Sequence, residues 1–311
     1  MKIKVSTVAF STNQLLVAEL KKHFRDAEIN ELGNRIPESE LANFYKDADG
    51  IIVGLEKITP KLLNKLPNLK IIAKYGVGLD NVDIKACKDR NITIGWTGGV
   101  NKRSVAEMAL GFMLAMCRNL YVTSNQLRAG TWNKNGGVQL TGKTVGIIGA
   151  GSIGKEVINL LSVFQCTILV NDIIDLNDIT GYNVSVVDKN RLYLESDFIS
   201  IHTPLTKDTE NLIDLEVLKK MKKSAFLINT ARGGIVNEKD LKFALQNNLI
   251  AGAALDVYSV EPPGDLELLG LPNLISTPHT GGNAYEAVLA MGLSAIDHLV
   301  QFQKNLSQQE V

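Results

Sequence analysis

The feature that most constrains this chain is a six-residue turn, Gly149-Ala150-Gly151-Ser152-Ile153-Gly154, set between an apolar β-type run at 144–148 and a helical pattern. Strand, glycine turn and helix in that order form a dinucleotide-binding fingerprint. Gly149 allows a tight turn, Gly151 lets backbone amides approach a pyrophosphate, and Gly154 permits close packing of helix on strand. The helix N-terminus then faces the anion. Asp172 ends the next strand-like run, near the spacing of about twenty residues expected of a ribose-binding acid. Its carboxylate would accept hydrogen bonds from ribose hydroxyls and repel a 2′-phosphate. The following Ile173-Ile174 supplies no arginine to hold such a phosphate, so NAD is expected rather than NADP.

The rest of the chain is consistent with an α/β protein. From 1 to 100, short β-rich runs (3–8, 50–53, 69–73, 92–94) alternate with helical patterns at 13–24 and 61–66. Such alternation predicts a parallel sheet flanked by helices. A single long helix is expected over 104–128, opened by a capping box in which Ser104 and Glu107 are the partners. An exposed arm follows, from Gly130 through Trp132 to Gly137. Six strand-like runs then begin at 144, 167, 198, 225, 253 and 274, as a doubly wound domain requires. The predicted architecture is two doubly wound parallel-sheet domains, a Rossmann NAD-binding domain at 101–282 inserted into a flavodoxin-like substrate domain at 1–100 and 283–311. The amphipathic helix at 284–303 is expected to pack back on the first domain.

Charge excludes several partners. Lys plus Arg and Asp plus Glu both number 33, for a net charge of zero. No basic field is therefore available for nucleic acid or an anionic membrane. Cys87, Cys117 and Cys166 are scattered among apolar neighbours, and read as reduced core thiols rather than metal ligands or disulfides. The N-terminus runs directly into a strand pattern without a signal-peptide design, and the longest apolar stretch, 109–117, is too short to span a bilayer. A cytoplasmic location and no metal are expected.

Polar residues at three later strand ends suggest the chemistry. In Asn229-Thr230-Ala231-Arg232-Gly233-Gly234, paired glycines let Arg232 project from a sharp turn, where a guanidinium can grip a carboxylate through two parallel hydrogen bonds. The other two segments are Asp256-Val257-Tyr258-Ser259-Val260-Glu261-Pro262-Pro263 and Thr277-Pro278-His279-Thr280-Gly281-Gly282. Reducing a 2-oxo acid requires a proton for the developing alkoxide, a task suited to histidine. A carboxylate such as Glu261 would orient that ring and keep its proton available. Of the four histidines, His23 and His298 sit on amphipathic helices as surface or packing residues. His202, in His202-Thr203-Pro204, ends a strand and competes with His279, which alone combines a strand end, a proline-fixed turn and neighbouring glycines.

These segments, with Lys74-Tyr75-Gly76-Val77-Gly78-Leu79-Asp80-Asn81-Val82-Asp83 and Ser104-Val105-Ala106-Glu107, resemble the D-isomer-specific 2-hydroxyacid dehydrogenase family over essentially the whole chain. Within it the phosphoglycerate dehydrogenase members are most similar. The resemblance implies a homodimer in which Arg232 binds the substrate carboxylate and keto oxygen, His279 is the acid or base, and Glu261 tunes it. It also implies NAD contacts from Thr97, Ser152, Ile153, Asp172, His202, Thr203, Pro204, Thr230, Ala231, Arg232, Asp256, His279, Gly281 and Gly282. The amides of Gly76, Val77 and Gly78, with Lys74, Tyr75 and Asn101, would bind substrate.

Two departures qualify this. Lys74, a point charge, stands where many phosphoglycerate dehydrogenases place an arginine fork. The chain also ends soon after the family's C-terminal helix, so feedback through an appended regulatory domain is not expected. Lys74, Tyr75, Thr97 and Lys102 or Arg103 are expected to make the side-chain pocket cationic, favouring 3-phosphoglycerate and phosphohydroxypyruvate. Reduction of glyoxylate, hydroxypyruvate or a phosphonate-bearing oxo acid is the alternative. A corepressor-like NAD(H)-sensing protein is a distant one.

Overall fold

A computed structural model of the chain describes residues 1–176 and 183–309, which divide into two compact units, 1–101 with 285–311 and 102–284. In the first unit five strands, β1 (Ile3–Val5), β2 (Glu28–Ile29), β3 (Gly50–Val53), β4 (Ile71–Lys74) and β5 (Thr93–Gly95), pair in parallel in the order β2-β1-β3-β4-β5. That is the flavodoxin-like winding. β1, β3 and β4 are buried throughout. They therefore read as continuous apolar runs rather than alternating ones. One helix here spans Gln14–His23 and is capped by Asn13, whose side chain accepts from the amides of Leu15 and Leu16. The final helix, Tyr285–Gln309, belongs to the same unit and packs on the helix Gln14–His23 and on β4 through Met291, Ala295, Ile296 and Leu299.

The second unit holds a parallel sheet of seven strands among the described residues: β6 (Thr144–Ile148), β7 (Thr167–Asn171), β8 (Val184–Val186), β9 (Phe198–Ile201), β10 (Phe226–Asn229), β11 (Gly252–Leu255) and β12 (Leu274–Ser276). The order β12-β11-β10-β9-β6-β7-β8 reverses direction between β6 and β9, the topological switch point where such sheets bind ligands. The sequence suggests six strands. The seventh, β8, is a three-residue edge strand with two exposed positions, so it carries no apolar run to betray it. β2 escapes for the same reason of length.

The single helix expected over 104–128 is two helices, Lys102–Cys117 and Leu120–Arg128. Asn119 breaks it with φ near +52°, a left-handed conformation that asparagine tolerates better than most residues. The capping box does not form either. The helix begins at Lys102, so Ser104 lies inside its first turn, while Glu107 accepts from Arg103 at 2.7 Å. Among the described residues no single helix is long and apolar enough to cross a membrane.

Candidate active site

Strand register builds the site. Ile148 pairs with Asn171 on one side and Ile201 on the other. Ile201 is level with Asn229, Asn229 with Leu255, and Leu255 with Ser276. The next residues along each strand, Asp172, Gly149, His202, Thr230, Asp256 and Thr277, therefore stand in one row along the carboxyl edge of the sheet. Five of the six are residues that the sequence singles out.

At the switch point the glycine turn is shaped by close approach. A Cβ on Gly149, where φ is +92°, would lie 2.7 Å from the His202 carbonyl, and one on Gly154 would overlap the Gly149 carbonyl oxygen. Gly151 differs, because a Cβ there meets no atom of the chain within 4 Å. It is also the N-cap of the helix Ser152–Leu161, with no side-chain cap on the orphan amides. Ile153 is half-buried against the core and Ser152 is exposed. Asp172 accepts from the amides of Ala150 (2.6 Å) and Ile173 (2.6 Å), which ties the acid to the turn.

Beside it, His202 Nε2 lies 2.8 Å from Ser200 Oγ, and its buried Nδ1 has no partner. Burial pushes this imidazole down to about 3. It is therefore neutral near neutral pH. Thr203 is half-buried, and the exposed Pro204 gives its carbonyl to Thr209 Oγ1. The hydroxyl of buried Thr230 also lacks a partner. An uncapped helix end, room above Gly151 and two orphaned polar atoms in the same row fit a dinucleotide.

The reacting-group candidates come together in the same unit. His279 Nδ1 is 2.8 Å from Glu261 Oε2 and 3.0 Å from Oε1, and Glu261 also accepts from the Tyr258 amide. Arg232 reaches back to the Ala231 carbonyl through Nη1, and its own carbonyl accepts from Asn229 Nδ2. Gly233 lets that loop touch the next one: a Cβ there would overlap the Tyr258 carbonyl. His279 has φ near +55°, a left-handed conformation that survives only where the surroundings enforce it. They do so from both sides. Asp256, only 1% exposed, accepts from Thr277 Oγ1 (2.6 Å), Thr280 N (2.8 Å) and Gly281 N (2.7 Å). Ser104 Oγ donates to the Gly281 carbonyl and accepts from the Ala284 amide, with half-buried Gly282 between.

Ser104 is thus a tether of the His279 loop, a role local sequence could not show because its partner is 177 residues away. The buried carboxylate of Asp256 has its oxygens committed to this loop.

The remaining candidates lie in the first unit. Lys74, 5% exposed, donates its ammonium to the Gly54 carbonyl, which also accepts from Asn81. Gly76 has φ +126° and opens the turn through Val77 and Gly78. Tyr75 OH and Asn101 Oδ1 are buried without partners. Burial pushes the Tyr75 phenol up to about 12, so it stays protonated. Thr97 Oγ1 is 2.9 Å from both His298 Nε2 and Ser294 Oγ, which gives His298 a hydrogen-bonding role beyond packing. His23 pairs with Glu19 on an exposed helix face.

Lys102 and Arg103 both have acidic neighbours. Arg103 pairs with Glu107 and Glu156, and Lys102 lies 3.7 Å from Glu156. These glutamates lie on the same and the adjacent helix, and both cations stay half-exposed. Among the described residues no cluster of potential metal ligands occurs, and the three cysteines are unpaired and buried.

Comparison with known proteins agrees with this fold. The profile of the D-isomer specific 2-hydroxyacid dehydrogenase NAD binding domain matches residues 110–281. Hydroxypyruvate reductase of Thermotoga maritima is 37% identical over 88% of this chain and 90% of its own length. D-3-phosphoglycerate dehydrogenase of Methanocaldococcus jannaschii is 38% identical over 84% of the chain, which spans 51% of that relative. D-lactate dehydrogenase of Aquifex aeolicus, solved with NAD and lactic acid, superposes with a TM-score of 0.84 at 27% identity, covering 99% of this chain and 97% of that one. This chain belongs to the D-isomer-specific 2-hydroxyacid dehydrogenase family and carries its NAD-binding domain.

Proposed function

We propose that this chain interconverts a short D-2-hydroxy acid and its 2-oxo acid with NAD, using His279 as acid and base. The observation that carries this reading is the 2.8 Å contact between His279 Nδ1 and Glu261, on the same sheet edge as the Gly149–Gly154 turn. When bound, the nicotinamide supplies or accepts the hydride. The helix N-terminus at Ser152, the space above Gly151, Thr230 and Asp172 are the groups that would hold the dinucleotide, together with His202, Thr203, Gly281 and Gly282. Glu261 holds the imidazole through Nδ1, which leaves Nε2 to give a proton to the substrate carbonyl oxygen and to take it back in oxidation. Arg232 binds the carboxylate and keto oxygen and so fixes the carbon that reacts.

For the substrate, we favour an unphosphorylated acid such as hydroxypyruvate or glyoxylate. Lys102 and Arg103 lie beside glutamates, which offsets part of the positive charge a phosphate would use, and Lys74 already donates to a carbonyl. The second reading is 3-phosphoglycerate and phosphohydroxypyruvate, favoured by the place of Lys74 just before the Gly76–Gly78 turn. A homodimer and a cytoplasmic setting belong to the same proposal. The first rests on exposed Leu120, Tyr121, Leu127 and Trp132, and the second on the unpaired thiols.

The test is NADH oxidation with a panel of 2-oxo acids beside a His279→Ala control. Turnover of hydroxypyruvate or glyoxylate, with the control slowed by about a thousandfold, is expected. Preference for phosphohydroxypyruvate would install the second reading. NADH binding without turnover of any acid would point to a sensor instead.

A further inference from the structure

We propose that Trp96 is a positioning residue for the substrate carboxylate, acting by fixing the direction of the Gly78 amide. This rests on the reading that the Gly76-Val77-Gly78 turn binds that carboxylate. β4 and β5 are neighbours with Ala73 level with Gly95, so the residues that leave the two strands run side by side. Trp96, the first residue after β5, donates its indole N–H to the Val77 carbonyl at 2.7 Å.

The consequence follows from peptide planarity. In a trans peptide the carbonyl of one residue and the N–H of the next point in opposite directions. With the Val77 carbonyl held on Trp96, the Gly78 N–H must face away from the indole. Among the described residues, nothing accepts a hydrogen bond from the amides of Val77 or Gly78. Both residues are half-buried, so two oriented donors are presented in one short turn, the arrangement an anion selects.

The residue type matters. Indole N–H is a donor only, so it can hold a carbonyl but never an amide, and the peptide cannot flip without breaking the bond. Packing also argues against a filler role. Trp96 remains 39% exposed, and a Cβ on Gly98 would come within 3.1 Å of its ring, so the loop folds tightly over a side chain that no core swallows. A large ring anchored by its polar atom at the surface serves orientation more than burial.

The experiment compares the wild-type protein with Trp96→Phe and Trp96→His, reading KM and kcat for the best 2-oxo acid and Kd for NADH. In parallel, the Gly78 amide resonance is followed as oxalate, an inert dicarboxylate, is added to the NAD-bound protein. The expected result is a Gly78 shift, a KM raised about tenfold in Trp96→Phe with kcat within about twofold, and unchanged NADH affinity. Trp96→His, which keeps a ring N–H, should hold KM within about threefold. A Gly78 shift with an unchanged KM in Trp96→Phe overturns the role of Trp96 and leaves the turn as the carboxylate site. No Gly78 shift overturns the reading of the turn itself. Loss of kcat, KM and NADH affinity together, unrescued by Trp96→His, makes Trp96 a packing residue and also overturns the proposal.

Discussion

Two parts of one sheet edge are built on opposite principles. In the loop carrying His279, polar atoms find partners inside the chain: Asp256 collects three donors, Ser104 bridges two backbone groups, and Glu261 holds the imidazole. In the Gly149–Gly154 turn and its surroundings the chain stops short. The helix has no side-chain cap, and His202 and Thr230 keep an orphaned atom each. The contrast separates two tasks. On the reading proposed above, a group that moves protons must be placed by the protein in advance, whereas a cofactor pocket is completed by the hydrogen bonds its ligand brings.

The largest effect is expected where the placed loop is broken. Asp256→Ala would strip the partner from Thr277, Thr280 and Gly281, each a donor costing about 1–3 kcal/mol if left unsatisfied. His279 would then relax from its left-handed conformation. We expect kcat to fall by about a hundredfold or more and the melting temperature to drop, measured by steady-state kinetics and thermal unfolding. Retention of full activity would mean that the network is incidental to His279.

Next comes the opposite kind of change, in the turn. Gly151→Val adds atoms where the chain leaves open space, so the fold should tolerate it, with the melting temperature nearly unchanged. NADH affinity should fall by about a hundredfold, because the added methyls stand where a pyrophosphate would approach. Fluorescence titration with NADH reads the affinity. A variant that unfolds would show that Gly151 serves the protein's own packing after all.

The same division explains what could be read in the sequence. The glycine turn, Asp172, and the pair His279 and Glu261 are visible because each is a local pattern: a residue type with its neighbours at a strand end. Two buried sheets were visible as apolar runs. What stayed hidden was either too short or non-local. β8 offers only Val184-Ser185-Val186 with two exposed positions. Asn119 breaks a helix whose apolar periodicity continues on both sides. Ser104 carried the right spacing for a cap, yet its hydroxyl is used by a loop far along the chain. The charges of Lys102 and Arg103 could be counted, but their pairing with Glu156 depends on how two helices pack.

The smallest effect separates the two regions by pH. His202 is held at about 3 in the folded chain against an ordinary 6.5, because burial disfavours its charged form. Between those values the unfolded chain takes up a proton that the folded chain refuses. Stability must therefore fall as pH drops through this window, by up to about 1.4 kcal/mol per pH unit from this residue alone. His202→Gln cannot take up that proton, so from pH 6.5 to pH 5 it should lose about 1.6 kcal/mol less than the wild type. Urea unfolding of the cofactor-free protein at the two pH values measures the difference. Equal losses would mean that water reaches the His202 ring in solution. The orphaned Nδ1 would then be hydrated, and the contrast between a satisfied loop and an unfinished pocket would be weaker on this side of the switch point.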